Sequence, residues 1–166
     1  MEVKFRIAHK NDLEEVISLY NEAIAHMLHS KIYQWDERYP NEEVLTEDIE
    51  KNELYVLTEK DKIIACVVIN EDQDASYHSA NWKYVSDKIA IIHRLCVHPR
   101  AQRKGIGKLL MKCSEEWICQ QEYEAIRLDT FTNNHIARKL YEGLGYSYVG
   151  EVTFRKGVFL LMEKKI

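Results

Sequence analysis

No apolar run in this 166-residue chain approaches the length of a membrane span, and no charged–apolar–small leader opens it. An excess of positive charge is missing too. The 23 Lys and Arg against 27 Asp and Glu leave a net charge of -4, which gives no reason to expect a nucleic-acid partner. Cysteine is sparse: Cys66, Cys96, Cys113 and Cys119 lie inside apolar strand or helix patterns, with no CxxC pair. They read as reduced, packed thiols and not as disulfide staples or zinc ligands, so no metal is expected and a cytoplasmic location is. Neither a Walker GxxxxGK[ST] loop nor a dinucleotide-binding GxGxxG is present. No repeat, low-complexity tract or linker divides the chain. With 46% apolar and 30% charged residues, the expectation is one globular domain over residues 1–166, large enough for a substantial core.

Periodicity supplies the elements. Val3 to Ile7 alternates as a half-buried strand, and Asn11 with Glu14 has the form of a capping box. The helix it opens presents Leu13, Val16, Ile17, Tyr20, Ile24, Met27 and Leu28 on one face. Residues 32–41 read as an aromatic-rich loop, followed by a short helix from Glu42 to Lys51. Leu54 to Thr58 and Ile63 to Ile69 form a hairpin around Glu59-Lys60-Asp61-Lys62. Residues 70–87 are polar and acidic, but Trp82 and Tyr84 mark them as an ordered excursion.

The most informative stretch follows. Ile89-Ala90-Ile91-Ile92 is a short β-branched run, continued by Leu95-Cys96-Val97-His98-Pro99, where proline closes the strand. After Gly107 a helix begins, with Ile106, Leu109, Leu110, Cys113 and Trp117 on one apolar face. Glycines therefore sit where a strand turns into a helix. The first N–H groups of a helix lack internal partners, and the macrodipole adds partial positive charge. Gly105 and Gly107 let an anion approach the backbone, and Arg103, Lys104 and Lys108 surround them with cations. This is an anion cradle of pyrophosphate size.

Another strand runs from Ala125 to Phe131, parallel to the Ile89 strand across the helical crossover. A helix from Asn134 to Leu144 presents Ile136, Ala137, Leu140, Tyr141 and Leu144, and Gly143 and Gly145 end it. Tyr146 to Val152 and Val158 to Met162 are the last strands.

Gln102-x-x-Gly105-x-Gly107, placed just beyond Leu-x-Val-x-Pro, resembles the acyl-CoA loop of the GNAT superfamily of N-acetyltransferases. Asn134, Ala137, Tyr141, Glu142, Gly145 and Tyr146 resemble a second motif of that family, in register. The likeness is close from Ile89 to Val152 and looser before. It implies an α/β fold with a mixed sheet of about seven strands, splayed between the strands ending at Val97 and Phe131, and about four helices. Acetyl-CoA would be the acetyl donor. Its pantetheine would pair with the backbone of Leu95 and Val97, either side of Cys96, and its pyrophosphate would rest at Gln102, Arg103, Lys104, Gly105, Ile106, Gly107 and Lys108. Asn134 would contact the pantetheine, and Arg138 or Lys139 would reach cofactor phosphates.

The implied reaction is attack of a primary amine on the thioester, without a metal or a covalent enzyme intermediate. Val97 N–H is where the family places the oxyanion donor. Tyr141 matches the tyrosine that protonates the leaving thiolate, and it also suits a packed aromatic. Two residues compete as base. Asp129 lies five residues before Asn134 and reads also as a strand-end capping aspartate. His93 lies two residues before Leu95 on the same strand face, and reads also as a packed histidine. Trp35 and Tyr39 are acceptor-pocket candidates or loop anchors. The acceptor is a small-molecule or peptide amine, the protein a monomer or homodimer, and membrane partners are not expected. A non-catalytic acyl-CoA-binding or sensing domain is the alternative.

Overall fold

The computed structural model describes residues 2–166. The order of elements is β1 (Val3–Ile7), α1 (Leu13–His29), α2 (Glu42–Glu50), β2 (Leu54–Glu59), β3 (Lys62–Asn70), β4 (Ile89–Val97), α3 (Ile106–Gln120), β5 (Ala125–Phe131), α4 (His135–Gly143), β6 (Ser147–Phe154) and β7 (Gly157–Lys165). The seven strands form a sheet in the order β1-β2-β3-β4-β5-β7-β6. β4 and β5 are parallel, whereas β1/β2, β2/β3, β5/β7 and β6/β7 are antiparallel. This is the mixed α/β sheet with four helices that the sequence implied. Among the described residues no helix is long and apolar enough to cross a membrane.

Two compact units are distinguished: Met1–Ile69 with Arg94–Cys113, and Asn70–His93 with Ser114–Ile166. The core of the first joins Val16, Leu19, Tyr20, Ala23 and Ile24 of α1 to Leu45 and Ile49 of α2 and to Leu54, Val56, Ile63, Cys66 and Val68 of the strands. Each Val, Leu or Ile side chain among them contributes roughly 1.5–3 kcal/mol on burial. The β2–β3 hairpin closes through Lys60 and Asp61, whose φ values of 48° and 61° give the twist that a two-residue hairpin loop requires.

Two expectations for this unit need correction. Asn11 does not cap α1, because it lies inside a 3-10 turn, Lys10–Asp12. Asp12 is the residue before α1 but makes no side-chain cap bond to it; its carboxylate closes the 3-10 turn, accepting the His9 N–H at 2.7 Å while Arg6 holds it at 2.7 and 3.0 Å. The α-helix proper therefore starts at Leu13, after the 3-10 turn. Leu28 is 39% exposed, since it falls in the last turn of α1 beyond the packed stretch. α2 begins as read, with Asn41 Oδ1 accepting the Val44 N–H at 3.0 Å.

In the second unit, β4 and β5 pair from Ile89↔Ala125 to Ile92↔Leu128, although β4 runs on to Val97 and β5 to Phe131. β5 then pairs along its length with β7. Residues 70–88 are the ordered excursion anticipated from their aromatic residues, fastened by buried charge. Arg127, 8% exposed, donates to Gln73 Oε1 and to the Tyr84 carbonyl, each at 2.8 Å, and stacks 4.3 Å from the Trp82 ring. Glu163, 2% exposed, accepts the Lys83 N–H at 2.7 Å. Ile136 is 71% exposed, contrary to its assignment to the apolar face of α4. At 3.6 residues per turn it lies about 140° from Tyr141, and the helix turns its Tyr141 side inward. Cys119 is exposed rather than packed.

Candidate active site

The end of β4 and the entry of α3 belong to the first unit. Pro99 opens a 3-10 turn, Pro99–Ala101, capped by His98, so the strand stops at Val97. Gln102 Nε2 reaches back and donates to the Val97 carbonyl at 3.2 Å. The chain then passes through two left-handed residues, Arg103 (φ 61°) and Gly105 (φ 76°). α3 begins at Ile106 rather than after Gly107, because Gly105 supplies the change of direction and Gly107 is taken into the first turn. Leu109 N–H donates to the Gly105 carbonyl at 3.0 Å. The preceding N–H groups of the helix therefore face the turn without i−4 partners. Ile106 is buried beneath them, while Arg103, Lys104 and Lys108 are exposed. A Cβ on Gly105 would meet no atom within 4 Å. The glycine is required for its backbone angle, and the outer face of the turn is open. Cationic side chains, aligned N–H groups and open space together suit an anion.

Upstream in the same strand lies a feature without a sequence signal. Arg94 has φ +49° inside β4, so the alternation expected to put His93 and Leu95 on one face is interrupted. Its guanidinium is bound bidentately by Asp48, at 2.9 and 2.6 Å, and donates to the Tyr39 hydroxyl at 2.6 Å. Burial works to lower the Arg94 pKa, but Tyr39 and Asp48 outweigh it and the guanidinium stays cationic. Tyr39 is 39% exposed. Trp35 is buried, tilted against Tyr20 with ring centroids 5.7 Å apart. Cys96 lies in the core, where burial pushes its thiol up, away from the thiolate form.

The remaining candidates belong to the second unit. Asp129 of β5 is half-buried, and its Oδ2 accepts the Tyr77 hydroxyl at 2.5 Å. Tyr77, itself buried, sits in a 3-10 turn, Ala75–Ser79, where its carbonyl accepts the Trp82 Nε1–H at 2.7 Å. His93 Nε2 lies 2.7 Å from Asn70 Oδ1. Asn134 caps α4, its Oδ1 accepting the Ala137 N–H at 3.1 Å. Arg138 Nη1 donates to the Thr132 carbonyl at 3.5 Å, and its Nε is buried without a partner. Tyr141 is 6% exposed and meets Tyr146 edge-on at 5.9 Å. Burial first, then the charge of Asp129, push its hydroxyl pKa up.

Tyr141 and Asp129 thus share one electrostatic environment, while His93 is tied to Asn70. Arg94, Asp48, Tyr20 and Tyr77 were invisible in the sequence, since each acts through a partner distant along the chain. Only the aromatic content of residues 70–87 hinted at Tyr77.

Comparison with known proteins gives a family, a relative and solved structures that resemble this chain. The Acetyltransferase (GNAT) family matches residues 16–146. The uncharacterized N-acetyltransferase YesJ of Bacillus subtilis (strain 168) is 27% identical over 120 residues, covering 70% of this chain and 66% of that protein. The chain thus spans slightly less than two thirds of that relative's length. An acetyltransferase of the GNAT family from Streptococcus agalactiae 2603 superposes with a TM-score of 0.87 at 21% identity, covering 99% of this chain and 95% of that one. The PaiA N-acetyltransferase of Thermoplasma acidophilum, solved in complex with coenzyme A, gives 0.76 at 19% identity, covering 100% of both chains.

Proposed function

This chain belongs to the GNAT family of acetyltransferases, and on that premise we propose that it moves an acetyl group from acetyl-CoA to a primary amine by direct attack on the thioester. The observation that carries the reading is the turn from Val97 to Lys108, with its open face at Gly105, its cations and the exposed start of a 15-residue helix. These residues fit a pyrophosphate. Gln102 to Lys108 would hold it, Leu95, Cys96 and Val97 would offer backbone groups to the pantetheine, and Asn134 and Arg138 would contact the arm and a phosphate. When bound, acetyl-CoA supplies the activated acetyl thioester.

The chain's own groups do the rest. The Val97 N–H is the donor toward the carbonyl oxygen as charge develops there. Tyr141 is the acid for the departing thiolate; its hydroxyl is protonated at neutral pH, and the burial that raises its pKa must be offset by the thiolate charge developing beside it. The proton of the amine passes to Asp129 or His93. Asp129 already accepts the Tyr77 hydroxyl on Oδ2, so one of its two oxygens is engaged. Tyr39 is the acceptor-side contact, and Trp35 supports its loop from the core. Burial holds the Cys66 and Cys96 thiols in the inert protonated form, so neither suits the role of an acetyl-cysteine nucleophile.

The test is release of free thiol from acetyl-CoA with a panel of primary amines: polyamines, aminoglycosides, amino acids and peptide N-termini. Acceptor-dependent release supports the reading. Tight CoA binding with no release for any amine would favour an acyl-CoA-binding or sensing domain instead. Stabilisation by ATP but not by CoA would contradict both.

A further inference from the structure

Arg94 adopts φ +49° within a strand, a conformation that a residue with a long side chain rarely takes and that no hairpin demands here. In a regular strand alternate residues share a face. A left-handed step resets that pattern, so the directions of the backbone groups that follow depend on residue 94. Those groups belong to Leu95 and Val97.

Three elements of the first unit converge on the step. From α1, the fully buried Tyr20 donates its hydroxyl to the Arg94 carbonyl at 2.5 Å. From α2, Asp48, 5% exposed, accepts from Nε and Nη2. From the loop before α2, the Tyr39 hydroxyl accepts from Nη1. Stability alone does not account for this arrangement, because a buried ion pair seldom improves on apolar packing of the same volume. Backbone outliers held in place by converging contacts concentrate at active sites and ligand clamps.

We propose that Arg94 is a positioning residue for acetyl transfer: with its carbonyl held by Tyr20 and its guanidinium by Asp48 and Tyr39, it fixes the backbone directions of Leu95 and Val97. This rests on the acetyl-transfer reading above. The same clamp registers the Tyr39 loop, the acceptor-side element, against the strand that supplies the carbonyl donor.

The test uses the full chain. Tyr20→Phe deletes only the hydroxyl on the Arg94 carbonyl. Arg94→Gly and Arg94→Ala are each made with Asp48→Asn, so that no buried charge is left unpaired; glycine alone takes the left-handed step freely. The CoA dissociation constant, read by calorimetry, should rise by less than turnover falls, because the clamp orients the Leu95 and Val97 groups offered to the pantetheine but does not touch the pyrophosphate cradle. Turnover in the thiol assay should fall roughly 10- to 100-fold in Tyr20→Phe, the scale of a small misplacement of reacting groups. The glycine double variant should be faster than the alanine one. Wild-type turnover in Tyr20→Phe, or equal turnover in the two double variants, overturns the proposal. Amide hydrogen exchange at Leu95 and Val97 reads the clamp without any turnover, and should accelerate in both Tyr20→Phe and the milder Tyr39→Phe. Unchanged exchange overturns the clamp, even if the double variants fail to fold. Failure of the wild-type protein to acetylate any amine, with exchange accelerated as expected, would instead defeat the reaction assignment.

Discussion

Tyr141 shows how one side chain can serve packing and chemistry together. Its ring is buried edge-on to Tyr146, and the burial that packs it also raises its hydroxyl pKa. Tyr141→Phe keeps the ring and removes only the donor. Since general acid catalysis is worth about 10²–10⁴-fold, kcat should fall by roughly that factor with folding stability little changed. The loss should shrink with an acyl donor whose thiol leaves easily. Steady-state kinetics with both donors, under conditions where chemistry limits the rate, check this; near-wild-type turnover with acetyl-CoA would leave Tyr141 a packing residue only. The register with Asn134 and Ala137 made Tyr141 legible in the sequence. Tyr77 was not legible, because its contact with Asp129 spans 52 residues of chain and no local pattern encodes it. Arg94 was hidden for a different reason: arginine is not a residue type that signals a left-handed backbone, so only its tertiary partners explain φ +49°.

At the scale of elements, the entry of α3 is the best-specified piece. Its strand, proline stop, glycines and apolar helix face each carry a local signal, and the observed boundaries differ from the sequence reading by only a residue or two. Gly105→Asp should remove most CoA binding. It forces a non-glycine residue to φ 76° and sets a negative charge at the anion site. CoA at about a hundredfold its dissociation constant should stabilise the wild-type protein by roughly 2.7 kcal/mol, and thermal shift should show that gain lost in the variant. An undiminished shift would contradict the cradle. The start of α1 gives a pH prediction. The hydrogen bond from Arg6 is the main cause holding the Asp12 pKa below its ordinary value; burial opposes it and the His9 N–H adds to it. The unfolded chain therefore takes up this proton at higher pH than the folded one. The stabilisation is fully present above the ordinary carboxylate range and is lost as pH falls through the lowered value. Asp12→Ala should cost about 1 kcal/mol at neutral pH, the usual net worth of a hydrogen bond such as those it makes to the His9 N–H and Arg6. Melting curves from pH 7 downward should show the difference from wild type narrowing below about pH 4. A difference independent of pH would assign the loss to packing.

For the molecule as a whole, the parallel β4/β5 pair and its helical crossover were readable because connection length dictates topology. Alternation, β-branched runs and helical spacing located the seven strands and four α-helices, but not the 3-10 turns Lys10–Asp12, Ala75–Ser79 and Pro99–Ala101. What they did not give was the direction of exposed positions such as Ile136, where helix geometry and neighbours decide, or the fastening of residues 70–88 through Arg127 and Glu163. The proposed reaction, direct acetyl transfer from CoA to an amine with Tyr141 and the Val97 backbone acting on the thioester, has a fixed stoichiometry. Its most direct test is a count of products. The full chain is mixed with acetyl-CoA and the amine panel, free thiol is titrated against acetylated amine, and the intact mass of the protein is read in the same samples. One thiol per acetylated amine, with no acetyl group retained on the chain at any time point, is the predicted result. Thiol release without acetylated amine, or acetyl accumulating on the protein ahead of product, would contradict it.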